Sequence, residues 1–340
     1  MEMRYLGRTG VQVSSYCLGA MSFGSIGNTD RAECTAIIDR ALEAGINFID
    51  TADVYSAGES EEIVGEALGK RRDDVVLATK FYNPMGREPN RRGASRRWVM
   101  QACEESLRRL GTDHIDLYQV HRLDEHTDLE ETFGALSDLV TQGKVRMVGT
   151  STFPAEWMAE SQWVADRRNL ARPVCEQPPY SIFVRGPERD VFPTAQRHGM
   201  GVIVWGPLNG GWLTGKYRSH DAVEGSRFTR IGRGAWTTES AGADDKFALI
   251  PLLEEIARDA GTDLIGLSLA FTQAHPAVTS TIIGPRTPEQ LASQLAVADL
   301  RLSAEILDRI DEVVTPGTNV DRADYAFEPQ ALRHLSLRRR

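Results

Sequence analysis

Cysteine is scarce in this 340-residue sequence, and its four cysteines are scattered without a Cys-x-x-Cys spacing. That scatter argues against a zinc knuckle or a disulfide framework, so reduced and mostly buried thiols are expected. No apolar stretch approaches the roughly 20 residues that a membrane span needs, and the N-terminus lacks the apolar region of a signal peptide. We therefore expect no membrane contact and a cytoplasmic location.

Positive charge is also in deficit, because 39 Lys and Arg face 48 Asp and Glu, which gives a net charge of −9. This balance argues against an extended nucleic-acid-binding face. The one strongly basic run, Arg338 to Arg340, is interpreted as a solvated chain end. Length and a hydrophobic content of 41% allow one large α/β domain or two ordinary ones, and composition does not choose between them.

Apolar strand-like runs alternate with segments of helical period along almost the whole chain. An opening hairpin over residues 3–16 precedes eight such runs, at 17–20, 47–49, 75–78, 115–120, 145–148, 174–176, 202–204 and 280–283. Helices are expected between them, for example over 30–44, 95–110, 128–142 and 154–168. Continuous apolar strands with intervening helices favour a closed (β/α)8 TIM-type barrel.

No Pro-, Gly- or Ser-rich linker divides the chain, so we predict a single α/β barrel domain over 1–340 with a C-terminal tail from about 316. The first strand leads into Gly19-Ala-Met-Ser-Phe-Gly24, which does not match the Gly-x-Gly-x-x-Gly turn of an open dinucleotide-binding fold. A long irregular stretch over 206–245 is a candidate lid above the strand ends.

Polar residues directly follow three of the apolar strands. Asp50 and Tyr55 follow the second strand, Lys80 the third and His121 the fourth. Since the active site of a barrel lies at the carboxyl ends of its strands, these residues should converge. Each alone has an ordinary role, as a turn cap, a packed aromatic, a surface cation or a loop histidine. A buried Lys beside an Asp and a Tyr, however, is costly unless the charges compensate.

The four residue types suit the reduction of a carbonyl group. An oxygen whose carbon accepts a hydride becomes negatively charged and needs a proton donor. Tyr55 can donate that proton, and a Lys80 cation can stabilise the phenolate that remains. Asp50 would keep Lys80 charged, and His121 would orient the carbonyl oxygen.

At these residues the chain resembles a known family. Gly45-Ile-Asn-Phe-Ile-Asp50-Thr-Ala-Asp-Val-Tyr55, with Gly58-Glu-Ser-Glu61, is similar to the first signature of aldo-keto reductases. The resemblance continues through Lys80, Tyr118-Gln-Val-His-Arg122, Gly149-Thr-Ser151, Trp205-Gly-Pro-Leu208, Leu213-Thr-Gly-Lys216-Tyr217 and Ile282-Ile-Gly-Pro-Arg-Thr-Pro-Glu-Gln290. It covers roughly residues 4 to 315 and is closest to the branch with bacterial aldo-keto reductases and potassium-channel β subunits.

That resemblance implies an NADP-dependent oxidoreductase acting on CH–OH groups, with Asp50, Tyr55, Lys80 and His121 as its catalytic tetrad and no Rossmann fold. Ser151 and Gln177 would hold the nicotinamide carboxamide, and Trp205 would stack on the ring. Lys216 and Arg227 would face the pyrophosphate. The other residues implied to bind NADPH or NADP⁺ are Ala20, Met21, Asp50, Thr152, Gly206, Pro207, Leu208, Asn209, Gly210, Gly284, Arg286, Gln290 and Gln294.

Three of these positions invite comment. Thr152 stands where the family often has Asn, which removes an amide from the carboxamide site. Gln294 lies, with Ser293, where Glu and Asn often stand near the adenine. The run 210–216 superficially matches a phosphate-binding P-loop, but Tyr217 replaces the hydroxyl that would bind Mg²⁺.

The motif Arg286-Thr-Pro-Glu-Gln290 has its own physical interpretation. Thr287 can cap a helix, Pro288 suits its first turn and Gln290 completes a capping box. A helix N-terminus attracts anions, and Arg286 adds a planar guanidinium. This combination favours NADPH, with its ribose 2′-phosphate, over NADH.

Two other functions stay open. The enzyme alternative is a metal-dependent barrel hydrolase, with a divalent ion bound by the loose cluster of His121, Asp124 and His126. The sequence has no metal-ligand spacing such as His-x-His, and no metal is expected. Channel β subunits share the scaffold and can act by binding another protein, which makes a cofactor-sensing partner the non-enzymatic alternative. They can carry Asn where this chain has His121, so catalysis is favoured.

The substrate is expected to be a small carbonyl compound, an aldehyde or a ketone, and aldehydes are favoured as a class. Candidate pocket residues are Phe23, Tyr82, Arg122 and Trp212. Trp98 falls in a helical pattern and is expected in the core. No feature of the sequence selects an oligomeric state, so a homo-oligomer stays open.

Overall fold

The computed structural model describes residues 1–221, 237–325 and 327–339. Its strands are short apolar runs rich in Val and Ile, which suit a buried parallel ladder. A hairpin of β1 (Met3–Tyr5) and β2 (Gln12–Ser14) comes first. The barrel strands are β3 (Tyr16–Gly19), β4 (Phe48–Asp50), β5 (Val76–Phe81), β6 (Ile115–Val120), β7 (Val145–Ser151), β8 (Pro173–Gln177), β9 (Gly201–Val204) and β10 (Ser280–Ile283).

The eight strands close into one parallel barrel in the order β10-β3-β4-β5-β6-β7-β8-β9, which confirms the predicted (β/α)8 TIM-type fold with its N-terminal hairpin. Two strands run three residues further than predicted, β5 through Phe81 and β7 through Ser151. Their polar ends stay in the ladder because Lys80 pairs with Gln119, and Thr150 with Val120. The predicted polar strand ends are therefore part of the rigid sheet.

Helices follow most of the strands and surround the barrel. They are α1 (Arg31–Glu43), α2 (Glu59–Leu68), α3 (Arg96–Leu110), α4 (Leu129–Thr141), α5 (Ala155–Arg168), α6 (Val191–His198), α7 (Ala243–Asp259), α8 (Leu264–Ala274), α9 (Pro288–Leu295), α10 (Ala304–Val313) and α11 (Gln330–Arg333). The four predicted helices are confirmed within two residues at each end. Asp30 and Ser95 begin α1 and α3 by accepting backbone N–H bonds, and Gly111 ends α3 in the left-handed conformation.

Apolar side chains fill the barrel from its amino-terminal end. Leu6 and Val13 of the hairpin pack with Cys17, Phe48 and Leu117 of the strands. The larger part of the core lies between the strands and the helices, and it includes Trp98, which is fully buried as predicted. All four cysteines are buried. With the amino-terminal end plugged, the polar strand ends at the other end are left for a site.

The chain after α10 returns to the barrel. The backbone N–H groups of Arg185 and Val320 donate to Thr318 and Phe183 at 2.8 and 3.0 Å, so this part of the predicted tail is packed against the loop after β8. No helix of the described ranges is long and apolar enough to cross a membrane.

Candidate active site

Asp50, Lys80 and Tyr55 meet at the carboxyl ends of β4 and β5. Lys80 Nζ lies 2.5 Å from Asp50 Oδ2, 2.8 Å from the Thr51 carbonyl and 3.4 Å from the Tyr55 hydroxyl. Lys80 is fully buried and Asp50 is nearly so. Burial alone would lower the pKa of Lys80, but the Asp50 carboxylate and the Tyr55 hydroxyl outweigh it and raise that pKa. Lys80 is therefore a cation directed at the phenol oxygen.

Two buried amides complete the surroundings of Asp50. Gln177 Nε2 donates to Asp50 Oδ1 at 2.9 Å, and Gln119 Nε2 donates to the same oxygen at 3.2 Å. One carboxylate oxygen thus accepts from two amides while the other holds Lys80. A buried ion pair stabilises only when its remaining lone pairs are also satisfied, and these two glutamines satisfy them.

His121 lies against Tyr55, with the two rings edge-on and their centroids 5.7 Å apart. Burial and the neighbouring cations of Lys80 and Arg122 hold the pKa of His121 well below its usual value, so the ring is neutral. Asn83 Nδ2 lies 3.1 Å from His121 Nδ1. Because an amide nitrogen can only donate, Nδ1 must accept and the ring proton sits on Nε2.

The predicted carboxamide site follows β7 and β8. Ser151 Oγ donates to the Gln177 carbonyl at 3.0 Å, and the N–H of Thr152 donates to the same oxygen at 3.2 Å. Thr152 has a φ of 62°, a left-handed conformation that is unusual for a β-branched residue. Its hydroxyl accepts from Arg122 Nη1 at 3.1 Å, and the guanidinium lies 5.9 Å from the centre of the half-buried Trp205 ring.

Ala20 and Met21 follow β3 on the side of Asp50. The N–H of Ala20 donates to the Asp50 carbonyl at 2.8 Å, and the Ala20 carbonyl accepts from Ser60 Oγ at 2.8 Å. Ala20 is fully buried and Met21 is half-buried. Both predicted residues therefore lie beside the tetrad.

The loop after β9 is turned by left-handed residues. Gly206, Asn209 and Gly210 have φ values of 72°, 44° and 66°, and a Cβ on Gly206 would meet nothing within 4 Å. Pro207 is buried, Leu208 is half-buried, and a 3₁₀ segment runs over Asn209–Thr214. Lys216 is exposed, with Nζ 5.0 Å from the Tyr217 ring. Arg227 and residues 222–236 of the predicted lid lie outside the described residues.

The segment after β10 begins α9 as predicted. Thr287 Oγ1 accepts the Gln290 N–H at 3.4 Å, and Pro288 occupies the first turn. Gln290 Oε1 accepts the N–H of Arg286 at 2.8 Å, one residue before the partner expected of a capping box. Gly284 is exposed with no atom within 4 Å of an added Cβ, and Gln294 is buried.

The candidate substrate residues occupy different environments. Phe23 and Trp212 are fully buried in the core, and Trp212 packs against Tyr217 and Phe247. Tyr82 and Arg122 are half-buried, and Tyr82 has a φ of 139°. Burial raises the pKa of Tyr82.

The loose metal cluster of the hydrolase alternative is not assembled. Asp124 instead accepts from the backbone of Ala94 and His126 and from the Thr127 hydroxyl. In the described ranges, no group of three or more His, Cys, Asp or Glu side chains could hold a metal ion. A cleft of about 680 Å³ lies elsewhere, beside the carboxyl end of α3, and is lined by residues such as Arg72, Arg108 and Lys144.

The model of the Aldo/keto reductase family matches residues 16–315. This chain belongs to the aldo/keto reductase family. It is 38% identical to an uncharacterized oxidoreductase, YrpG, of Bacillus subtilis over 341 residues, which cover 96% of this chain and all of the relative.

Other relatives have more specific names. A probable voltage-gated potassium channel subunit beta of Oryza sativa subsp. japonica is 35% identical, over 92% of this chain and 97% of the relative. The versiconal hemiacetal acetate reductase of Aspergillus parasiticus is 32% identical, over 93% and 98%. The chain is thus an oxidoreductase of the aldo/keto reductase type, as predicted from its motifs.

Sequence reasoning missed three residues of this site. Gln119 lies on β6, two residues before His121, which directly follows that strand. Since side chains alternate along a strand, the two point to the same side. Asn83 follows β5, as the predicted residues follow their strands, and a systematic search of strand ends would have found it. Glu176, fully buried at the end of β8, accepts from Thr150 Oγ1 and the Phe153 N–H at 2.5 and 3.1 Å.

Proposed function

We propose that this chain reduces an aldehyde to an alcohol with NADPH, with Tyr55 as the proton donor. The observation that carries the proposal is the Asp50–Lys80–Tyr55 chain of contacts, 2.5 and 3.4 Å long, beside a neutral His121. A buried cation directed at a phenol oxygen is costly for folding, and it suits an oxygen that must become negative during catalysis.

The residues around the predicted cofactor site fit a dinucleotide. Oδ1 of Asn209 and Oε1 of Gln294 are buried acceptors with no hydrogen-bond donor among the described residues. Gln177 uses its amide nitrogen on Asp50 and Gln119, which leaves its oxygen for the carboxamide. NADPH would supply the hydride, and these side chains would hold its carboxamide, sugar and adenine.

Each member of the tetrad has a task that its contacts support. Tyr55 donates its proton to the carbonyl oxygen, and Lys80 stabilises the phenolate that remains. Asp50, held by two amides, keeps Lys80 protonated. His121, with its proton on Nε2, donates a hydrogen bond that orients the carbonyl oxygen without competing as an acid.

The test is oxidation of NADPH, followed by absorbance, with purified protein and a panel of aromatic and aliphatic aldehydes. Tyr55→Phe and Lys80→Met should each nearly abolish turnover, by a factor of at least about 10², while fluorescence titration still detects NADPH binding. Full activity in either variant would refute the proposed role of that residue.

Preference for NADPH has its own test at α9. Arg286→Ala should weaken NADPH binding far more than NADH binding, by on the order of 1 to 3 kcal/mol for a charge-assisted contact with the 2′-phosphate. Equal losses for both cofactors would remove Arg286 from that role.

A cofactor-sensing, partner-binding role is the second candidate, because the relatives include probable channel β subunits. It would become the leading function if NADPH binds tightly while no aldehyde in the panel is turned over.

A further inference from the structure

Arg122 is held firmly at the edge of the catalytic tetrad. Its Nη1 donates to the His121 carbonyl at 2.6 Å and to Thr152 Oγ1 at 3.1 Å, and the guanidinium faces the Trp205 ring. These contacts come from residues that directly follow three strands of the rigid barrel, β6, β7 and β9. The position of the guanidinium is therefore fixed by protein contacts.

The charge of Arg122 has no carboxylate within 4.0 Å among the residues that the structure describes. Three other arginines with little exposure each have one: Arg72 is paired with Asp116, Arg109 with Glu61, and Arg185 with Glu188. The carboxyl group that acts on it most is that of Glu176, whose oxygens already accept from the Thr150 hydroxyl and the Phe153 N–H. Burial lowers the pKa of Arg122, the sign of a cation that is poorly compensated.

The remaining donors of Arg122 point to the kind of group that would compensate it. Both hydrogen bonds of the guanidinium use Nη1, so within the described ranges Nε and Nη2 donate to nothing. Two parallel N–H groups on one planar guanidinium match the two oxygens of a carboxylate. The cofactor does not provide that group here, because its phosphates are expected at Lys216 and Arg286, and its carboxamide is neutral.

We propose that Arg122 binds a carboxylate on the substrate, so that the preferred substrates are aldehydes that also carry an acid group. This inference rests on the proposed function and adds a substrate class to it. The carbonyl would lie between Tyr55 and His121, and the carboxylate would form a two-pronged ion pair with the neighbouring Arg122.

The experiment compares the 2-, 3- and 4-isomers of formylbenzoate with their methyl esters, which keep the aldehyde and remove the charge. For at least one isomer, wild-type kcat/KM should favour the acid by roughly tenfold to a hundredfold, as expected of a charge-assisted pair. The isomer that shows the preference also measures the spacing between the carbonyl and the charge.

Three variants identify the source of any preference. Arg122→Gln should lower kcat/KM for the acid more than for the ester, mainly through the KM of the acid, so that the preference disappears, and Arg122→Lys should restore part of it. Arg92→Gln, which removes an exposed arginine on the loop after β5, should leave it unchanged. If Arg122→Gln fails to fold, competition by benzoate against ester reduction in wild type and Arg122→Lys tests the same contact.

The outcomes separate this inference from the proposed function. Equal kcat/KM for acids and esters in wild type, or a parallel loss for both in Arg122→Gln, would overturn the carboxylate role while leaving reductase activity established. No turnover of any acid or ester, nor of any aldehyde in the wider aromatic and aliphatic panel, would overturn both.

Discussion

Glu176 is the buried carboxyl group beneath the predicted carboxamide site, and its burial raises its pKa from 4.5 to about 7. A pKa that is higher in the folded state means that folding favours the protonated form. Its contribution to stability is therefore complete below about 4.5 and is lost as the pH rises towards 7. Glu176→Gln keeps the shape of the side chain and cannot ionise.

We expect the free energy of unfolding of the wild type to fall relative to Glu176→Gln between pH 4.5 and pH 7. The difference should reach the order of 3 kcal/mol at pH 7, because the pKa rises from 4.5 to about 7 on folding and each unit corresponds to about 1.36 kcal/mol. Urea unfolding of both proteins at several pH values measures it. Parallel pH profiles would show that Glu176 does not titrate in this range.

Asn83 sets the proton position on His121 by donating to Nδ1. Asn83→Leu removes that donor, so Nδ1 can carry the proton and the hydrogen bond from Nε2 to the carbonyl is lost. We expect kcat to fall by about 10- to 100-fold, the usual effect of losing a partner that orients a histidine. NADPH affinity should stay unchanged in fluorescence titration, and Asn83→His, which can still donate, should recover part of the rate.

At the residue scale, the sequence predicts the tetrad because those residues fall in contiguous motifs directly after strands. It does not predict that Gln119 and Gln177 share one oxygen of Asp50, since that depends on how β4, β6 and β8, which are not neighbours in the barrel, bring their ends together. It also does not predict the isolation of Arg122. Whether a charge is paired depends on residues that are distant in the sequence and that the fold brings near it.

At the element scale, two helix glycines form a matched pair. A Cβ at Gly65 of α2 would lie 2.4 Å from the Leu110 carbonyl of α3, whereas a Cβ at Gly134 of α4 would meet nothing within 4 Å. Gly65→Ala must push α2 away from α3, which costs about 1 to 3 kcal/mol. Gly134→Ala should instead stabilise α4 by about 0.5 to 1 kcal/mol.

Urea unfolding of the two variants tests this prediction, and a similar effect at both sites would contradict it. Aldehyde turnover should also fall in Gly65→Ala only. The reason is that α2 carries Glu61, which accepts from Thr79 Oγ1 at 2.5 Å and so supports the end of β5 beside Lys80.

Element types were predictable because apolar runs and helical periods are local signals. Their contact distances were not, since Gly65 reads like any other helix glycine until α3 is placed beside it. The same limit explains why β5 and β7 are longer than predicted. Their apolar pattern stops before their polar ends, but those ends still pair with the neighbouring strands.

At the scale of the whole molecule, a buried charge cluster connects the C-terminal segment to α7 and to the loop after β9. Lys246 of α7 lies 2.8 Å from Asp324 and 3.6 Å from Asp321, and all three side chains have at most 1% exposure. Burial raises the pKa of Asp324, and the nearby side chains of Lys246 and of Asn209, in the loop after β9, oppose that rise. Gly242 has no room for a Cβ beside Asp321. Residues more than a hundred positions apart thus meet behind the predicted cofactor site.

Two truncations separate the role of this cluster from that of the rest of the tail. Ending the chain at Val320 removes both carboxylates and leaves Lys246 buried without a counter-charge, which should cost on the order of 3 to 5 kcal/mol in unfolding free energy. It keeps Thr318 and Val320, which bond to the loop after β8. NADPH should also bind more weakly, because Asn209 loses the carboxyl group that lies beside it. Ending the chain at Phe327 keeps the cluster and removes only later, mostly exposed residues, so stability and binding should stay within about 0.5 kcal/mol of the full chain.

Urea unfolding and NADPH titration of both truncated chains test this prediction. Equal behaviour would mean that the buried pair contributes nothing to holding the loop, and the residual difference from the full chain would then belong to residues 328–339.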